Sequence, residues 1–160
     1  MSIDELRIPK TQKTVTMWVH PEGPVVGSVF LSIHAKGGME SETPAEVLND
    51  AAPFLVLYRE DLGEPRFYNK RSIVRVQHPA DRPHAESGTV EIGCQLHMMD
   101  GSLLRGTIVE FLTPEHSRLF DYINNVSGAF VRIYTDDGHE CLVNKAYIVQ
   151  FSETSTSTQR

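Results

Sequence analysis

The chain has 160 residues, 40 % of them hydrophobic, and a formal net charge of −6, enough for one ordinary domain or two small ones of roughly 70 residues each. Nine Lys/Arg stand against ten Asp/Glu in residues 1–80 and six against eleven in residues 81–160, so the chain lacks the basic footprint of a dedicated nucleic-acid binder. No run approaches the ~20 apolar residues of a membrane helix, and Met1-Ser2-Ile3-Asp4-Glu5 does not open a secretory signal.

Residues 1–12 are polar and aperiodic, which predicts a flexible lead-in. A first β unit spans 13–77. Val15, Met17 and Val19 alternate with Thr16, Trp18 and His20, the period of a half-buried strand. After the turn Pro21–Pro24, Val25–Ile33 reads as a long strand that Gly27 allows to bend. A polar insertion, His34–Glu42, contains Gly37-Gly38. Thr43-Pro44-Ala45-Glu46 then predicts a short helix ending near Asp50, with a capping Thr, Pro at the first helical position and Glu three residues after the cap. Phe54–Tyr58, Arg66–Asn69 and Ile73–Val76 complete the unit as strands.

Residues 78–88, with Pro79 and Pro83, read as a linker. A second β unit, 89–152, repeats the order. Val90 to Met98 alternate, Asp100-Gly101 signals a hairpin, Leu103–Leu112 bends at Gly106, and Thr113-Pro114-Glu115-His116 opens a short helix reaching about Asn125. Phe130–Tyr134, Glu140–Val143 and Ile148–Phe151 are the last strands, and 153–160 is expected to be a disordered tail. The ordered matches make this a tandem duplication: Gly27 answers Gly106, Phe54–Tyr58 answers Phe130–Tyr134, and Asn69-Lys70-x-x-Ile73-Val74 answers Asn144-Lys145-x-x-Ile148-Val149. The fold expected is mainly β: two small, strongly bent barrels, Sm-like or SH3-like, each with a short inserted helix, since closure removes exposed strand edges.

The second unit resembles the Sm-like fold. The resemblance rests on Leu96-x-x-x-Asp100-Gly101-x-x-x-x-Gly106-x-Ile108, on Asp121-x-x-Asn124, and on Val143-Asn144-Lys145-x-x-Ile148 in place of that family's apolar-Arg-Gly turn. It implies a ring of six or seven units that holds single-stranded RNA by the Asn-bearing loop and this turn. Lys70 and Lys145 stand where the family has Gly, and the helix lies inside the unit rather than before it.

Candidate sites follow. Asn69, Lys70, Arg71, Arg75, Asn124, Asn144 and Lys145 are the possible nucleic-acid contacts, amides toward base edges and cations toward phosphate. The competing reading makes each Asn a turn residue that needs left-handed backbone or bonds its own backbone, and each Lys a guard of a strand end; it is preferred, because duplication preserves folding signals. The copies differ where Val56 matches Arg132. Arg132 is expected to face water, whereas Phe54, Val56 and Tyr58 make a strand apolar on both faces, so its outer face must be covered; Trp18 is a further member of this interaction surface. The seven histidines and two cysteines form no metal-ligand spacing, and no nucleophile motif or phosphate loop is visible. Cys94 and Cys141 read as buried free thiols in a reducing cytoplasm. The expectation is a non-catalytic protein–protein interaction or assembly subunit without cofactor, self-associating or bound to a protein partner. The alternatives are an Sm-like RNA binder and a small-ligand sensor with a pocket between the units.

Overall fold

The computed structural model describes residues 10–33, 42–84 and 86–154. His34, Gly37-Gly38, most of the lead-in and most of the tail lie outside them. The chain divides into two compact units, Met1–Ile73 and Val74–Arg160.

Unit 1 holds β1 (Lys10–Val19), β2 (Gly23–Ser32), the helix α1 (Pro44–Asn49), β3 (Phe54–Arg59) and β4 (Glu64–Asn69), then a 3-10 turn at Lys70–Ser72. The strands form an antiparallel meander in the order β1-β2-β3-β4. Val15, Met17, Val29, Leu31, Leu55 and Leu57 fill its core, following the period-2 pattern of the sequence. β1 starts at Lys10, inside the expected lead-in. The capping box is present in full: Thr43 Oγ1 accepts from Glu46 N at 3.2 Å, and Glu46 Oε1 accepts from Thr43 N at 3.0 Å.

Unit 2 holds β5 (Ile73–Pro79, from Val74 onward), β6 (Thr89–Met98), β7 (Leu103–Phe111), β8 (Phe130–Tyr134), β9 (His139–Asn144) and β10 (Ile148–Glu153). Their order is β10-β6-β7-β8-β9-β5, antiparallel throughout. The expected linker is partly strand, because Gln77, His78 and Pro79 pair with Cys141, Glu140 and His139. Proline is tolerated there as the last residue of the strand. The second inserted segment is less regular than a helix. A 3-10 turn (Pro114–His116) leads to one α turn, α2 (Leu119–Asp121), and then a π turn (Tyr122–Val126). Thr113 makes no side-chain capping bond, unlike Thr43.

The protein is therefore mainly β and antiparallel, as expected, but the end strands of each unit's sheet do not pair with one another, so neither sheet closes by hydrogen bonds into a barrel. The bends are nevertheless built as expected. A Cβ on Gly27 would stand 2.5 Å from Tyr58 O and 2.8 Å from Leu57 Cγ; one on Gly106 would stand 2.9 Å from Tyr134 O. Each glycine lets its strand cross tightly over the next, β2 over β3 and β7 over β8. Both units also tie the residue after a long strand to a 3-10 turn, His20 N after β1 donating to Ser72 O and Met99 N after β6 to Tyr147 O, each at 2.9 Å.

Because the neighbours at Gly106 include backbone, they cannot rotate away. Gly106→Ala is expected to destabilise by about 1–3 kcal/mol, read as a lowered urea midpoint with an unchanged slope; an unchanged midpoint would show that the strand crossing has slack.

Candidate functional site

The repeated Asn-Lys pair is a folding device in both units. Asn69 Oδ1 accepts from Arg71 N and Asn144 Oδ1 from Ala146 N, both at 2.9 Å, opening the 3-10 turn that follows. Both asparagines are extended rather than left-handed. Each lysine turns inward onto the C-terminal end of the inserted helical segment. Lys70 Nζ donates to Val47 O at 2.6 Å and to Asp50 Oδ1 at 2.7 Å. Lys145 Nζ donates to Ile123 O at 2.7 Å and to Ser127 O at 3.2 Å. A cation placed on the unsatisfied carbonyls of a helix end is favourable twice, as a donor and as a charge against the dipole. The hydrogen bond from Lys70 holds the Asp50 carboxyl below its usual range, whereas burial without a carboxylate partner lowers Lys145.

The other positions considered for nucleic acid are dispersed. Arg75 Nη1 donates to Ser102 Oγ at 3.2 Å in the Asp100-Gly101 hairpin. Asn124 Nδ2 donates to Phe120 O at 3.0 Å, and Arg71 is exposed.

The interaction-surface residues separate into two places. In the β3–β4 hairpin Phe54 pairs with Asn69, Val56 with Phe67 and Tyr58 with Pro65. Leu55 and Leu57 point into the core, so Phe54, Val56 and Phe67 share the outward face, where they are 55 %, 37 % and 67 % exposed. Tyr58 is half-buried. Trp18 has the same outward parity but sits at the far end of β1, opposite Pro24. The ladder Val29–Leu57 and Val29–Lys13 puts Val56 in line with Phe30 and Gln12 instead, so Trp18 and Val56 do not share a rung. Phe67, which the sequence offers as an aromatic beside the basic cluster and not as part of the interaction surface, completes the patch; its signal was an aromatic at outward parity opposite Val56. A surface depression of about 540 Å³ adjoins this hairpin and is lined by Phe54, Leu62, Arg66 and Phe67 among others.

The equivalent face of unit 2 is built differently. Arg132 is half-buried rather than out in water, because Glu110 on the neighbouring strand draws it in. Its Nη2 donates to Glu110 Oε2 at 3.0 Å, and Tyr122 Oη donates to the same oxygen at 3.3 Å. Beside it Glu140 pairs across the strands with His78, Oε2 to Nε2 at 2.9 Å, both buried. Burial pushes the Glu140 carboxyl up, but the hydrogen bond and charge of His78, with Arg132 and Tyr134, outweigh this and hold it below the ordinary glutamate value. Glu110, Arg132, Glu140 and His78, polar residues on neighbouring strands, were the missed signal. This network lines neither the depression at β3–β4 nor a second one, of about 590 Å³, beside β10.

Cys94 and Cys141 are buried free thiols, each pushed up to about 12 by burial. Among the described residues no group of three or more His, Cys, Asp and Glu is placed to hold a metal, and no helix is long and apolar enough to cross a membrane. Comparison with protein-family profiles, with characterised proteins and with solved structures returns no match.

Two outcomes follow. Lys70→Met and Lys145→Met each strand buried carbonyls and are expected to lower stability by about 1–3 kcal/mol in urea titrations; loss of oligonucleotide binding at unchanged stability would contradict the strap role. The lowered Glu140 carboxyl contributes stability above its ordinary value of 4.5 that disappears as pH falls through the folded value. Glu140→Gln should therefore flatten the fall in melting temperature on acidification below that value, and an equally steep fall in the variant would refute the assignment.

Proposed function

We propose that this chain is a non-catalytic interaction or assembly subunit of a reducing cytoplasm, and that the outward face of the β3–β4 hairpin is its contact surface. The observation that carries this reading is a contrast between equivalent positions. Phe54 is 55 % exposed where Phe130 is 3 %, and Phe67 is 67 % exposed where Leu142 is fully buried. An apolar cluster on the final strand pair of a unit costs solvation free energy unless another surface covers it. In this reading each unit is a bent, Sm-like barrel, which the duplicated glycine crossings and the ties between a long strand and a 3-10 turn support. The two thiols, unreactive when buried, are consistent with a structural role.

RNA binding draws no support from the repeated turns. The ammonium groups of Lys70 and Lys145 are bonded to carbonyls inside their own units, and the Asn side-chain oxygens that would read base edges are held by the turn.

Val56→Arg is expected to leave the circular dichroism and unfolding midpoint within the range of a surface substitution while lowering solution mass or abolishing capture of a protein partner. Val26→Arg, at a position 55 % exposed on β2, is the control and should change neither. If Val56→Arg unfolds the chain, or behaves as the control does, the surface assignment fails.

A further inference from the structure

We propose that unit 2 carries a binding site for a small monocarboxylate with an apolar body, of the fatty-acid class, in the depression beside β10. The site lies apart from the β3–β4 contact face and does not rest on that reading. Two copies of one lysine, 75 positions apart, are neutralised differently. Lys70 Nζ meets a carboxylate of its own unit, Asp50 Oδ1, at 2.7 Å. The same offset puts Asn125 in the place of Asp50. Asn125 carries no charge and turns its amide away, Nδ2 donating to Asp121 Oδ1 at 2.6 Å. Lys145 Nζ therefore donates only to the neutral oxygens of Ile123 and Ser127, at 2.7 and 3.2 Å, and among the described residues it has no carboxylate partner. An ammonium group has three N–H donors, so one is left over.

Lys145 belongs to the wall of the depression of about 590 Å³, a size suited to a small molecule. Phe120, Val149 and Phe151 supply its apolar side, and no Asp or Glu is among the lining residues. Phe120 and Val149 are 71 % and 61 % exposed, area that a hydrocarbon body would remove from water. The amides of Asn124 and Gln150 stand in the same wall and can donate to a second ligand oxygen. A single cation flanked by neutral amides matches a monoanion. It does not match a phosphate dianion or a run of phosphodiesters, which call for several cations or a guanidinium fork. Burial without an anion lowers Lys145, and a bound carboxylate would reverse that effect while gaining a charge-assisted hydrogen bond. Unit 1 thus holds by its own Asp50 the carboxylate that unit 2 takes from outside.

Titration of the full chain with octanoate, followed by calorimetry and by backbone amide shifts, tests this. A single site should fill, with shifts centred on Phe120, Lys145 and Val149 and none at Val56 or Phe67. Acetate, which lacks the apolar body, and octanol, which lacks the charge, should each bind at least about tenfold more weakly. N-acetyl-leucyl-leucine, the same carboxylate on a peptide end, should also bind more weakly, because its amides would enter the apolar wall. Inorganic phosphate and a short single-stranded RNA should not displace octanoate. Lys145→Met should lose at least about tenfold in affinity. Since that variant also loses its strap, Asn125→Asp is the second: it offers Lys145 an internal carboxylate as Asp50 does Lys70, and should lose as much affinity with an unchanged circular dichroism spectrum. A wild type that does not bind octanoate overturns the proposal, as do octanol bound equally well, undiminished affinity in Asn125→Asp, tighter binding of the dipeptide, displacement by the RNA, or shifts confined to β3 and β4.

Discussion

An ammonium group turned inward onto the end of a short helical segment is the constraint on which each unit depends. The inserted segments are too short to be stable helices by themselves, and their terminal carbonyls are left without partners inside the segment. Lys70 and Lys145 reach those carbonyls from the turns after β4 and β9. The main chain reinforces the link, Lys70 N donating to Pro53 O and Lys145 N to Ala129 O, each at 2.9 Å. One turn is therefore tied both to the helical segment and to the start of the strand that follows that segment. That explains why Asn-Lys recurs: losing either residue unties three elements at once.

With the scaffold held by repeated parts, the outward faces were free to diverge. Unit 2 covers β8 and β9 with β5 and with a network running from Tyr122 and Glu110 through Arg132 to Glu140 and His78. Such a network is stable because nearly every buried polar group has a partner; among the described residues Arg132 Nε is an exception. Unit 1 has apolar residues on β3 and β4 and, among the described residues, no strand beyond β4. The two solutions are alternatives for one surface: satisfy it with internal polar partners, or leave it apolar for a contact from outside. The proposed contact surface thus rests on a difference between similar halves and not on a motif.

Much of the fold was legible because the signals were local. The period-2 runs, the Asp-Gly hairpins and the Thr-Pro-x-Glu cap each rest on a few neighbouring residues, and β8 appears with the boundaries the pattern predicts. What could not be read was set by distant partners. Arg132 looks like a solvent-facing residue until Glu110, 22 positions earlier, is placed beside it. His78 and Pro79 look like linker until β9 supplies a pairing edge. At the candidate site the sequence singled out Phe54 and Val56, but it joined them to Trp18, which the register puts elsewhere, and left Phe67 across the hairpin out of the surface. The role of the lysines was half legible. Duplication showed that they serve the fold, but the carbonyls they serve lie about 20 residues away and carry no sequence mark.

The central claim is that each lysine ties a helical segment to the turn that carries it, and backbone hydrogen exchange in the Lys70→Met variant measures it most directly. The Asp50 amide, which donates to Val47 O, and the amide at position 70, which donates to Pro53 O, should lose protection together in the variant, while the amides of β9 keep theirs. Unchanged exchange at both amides would contradict the account.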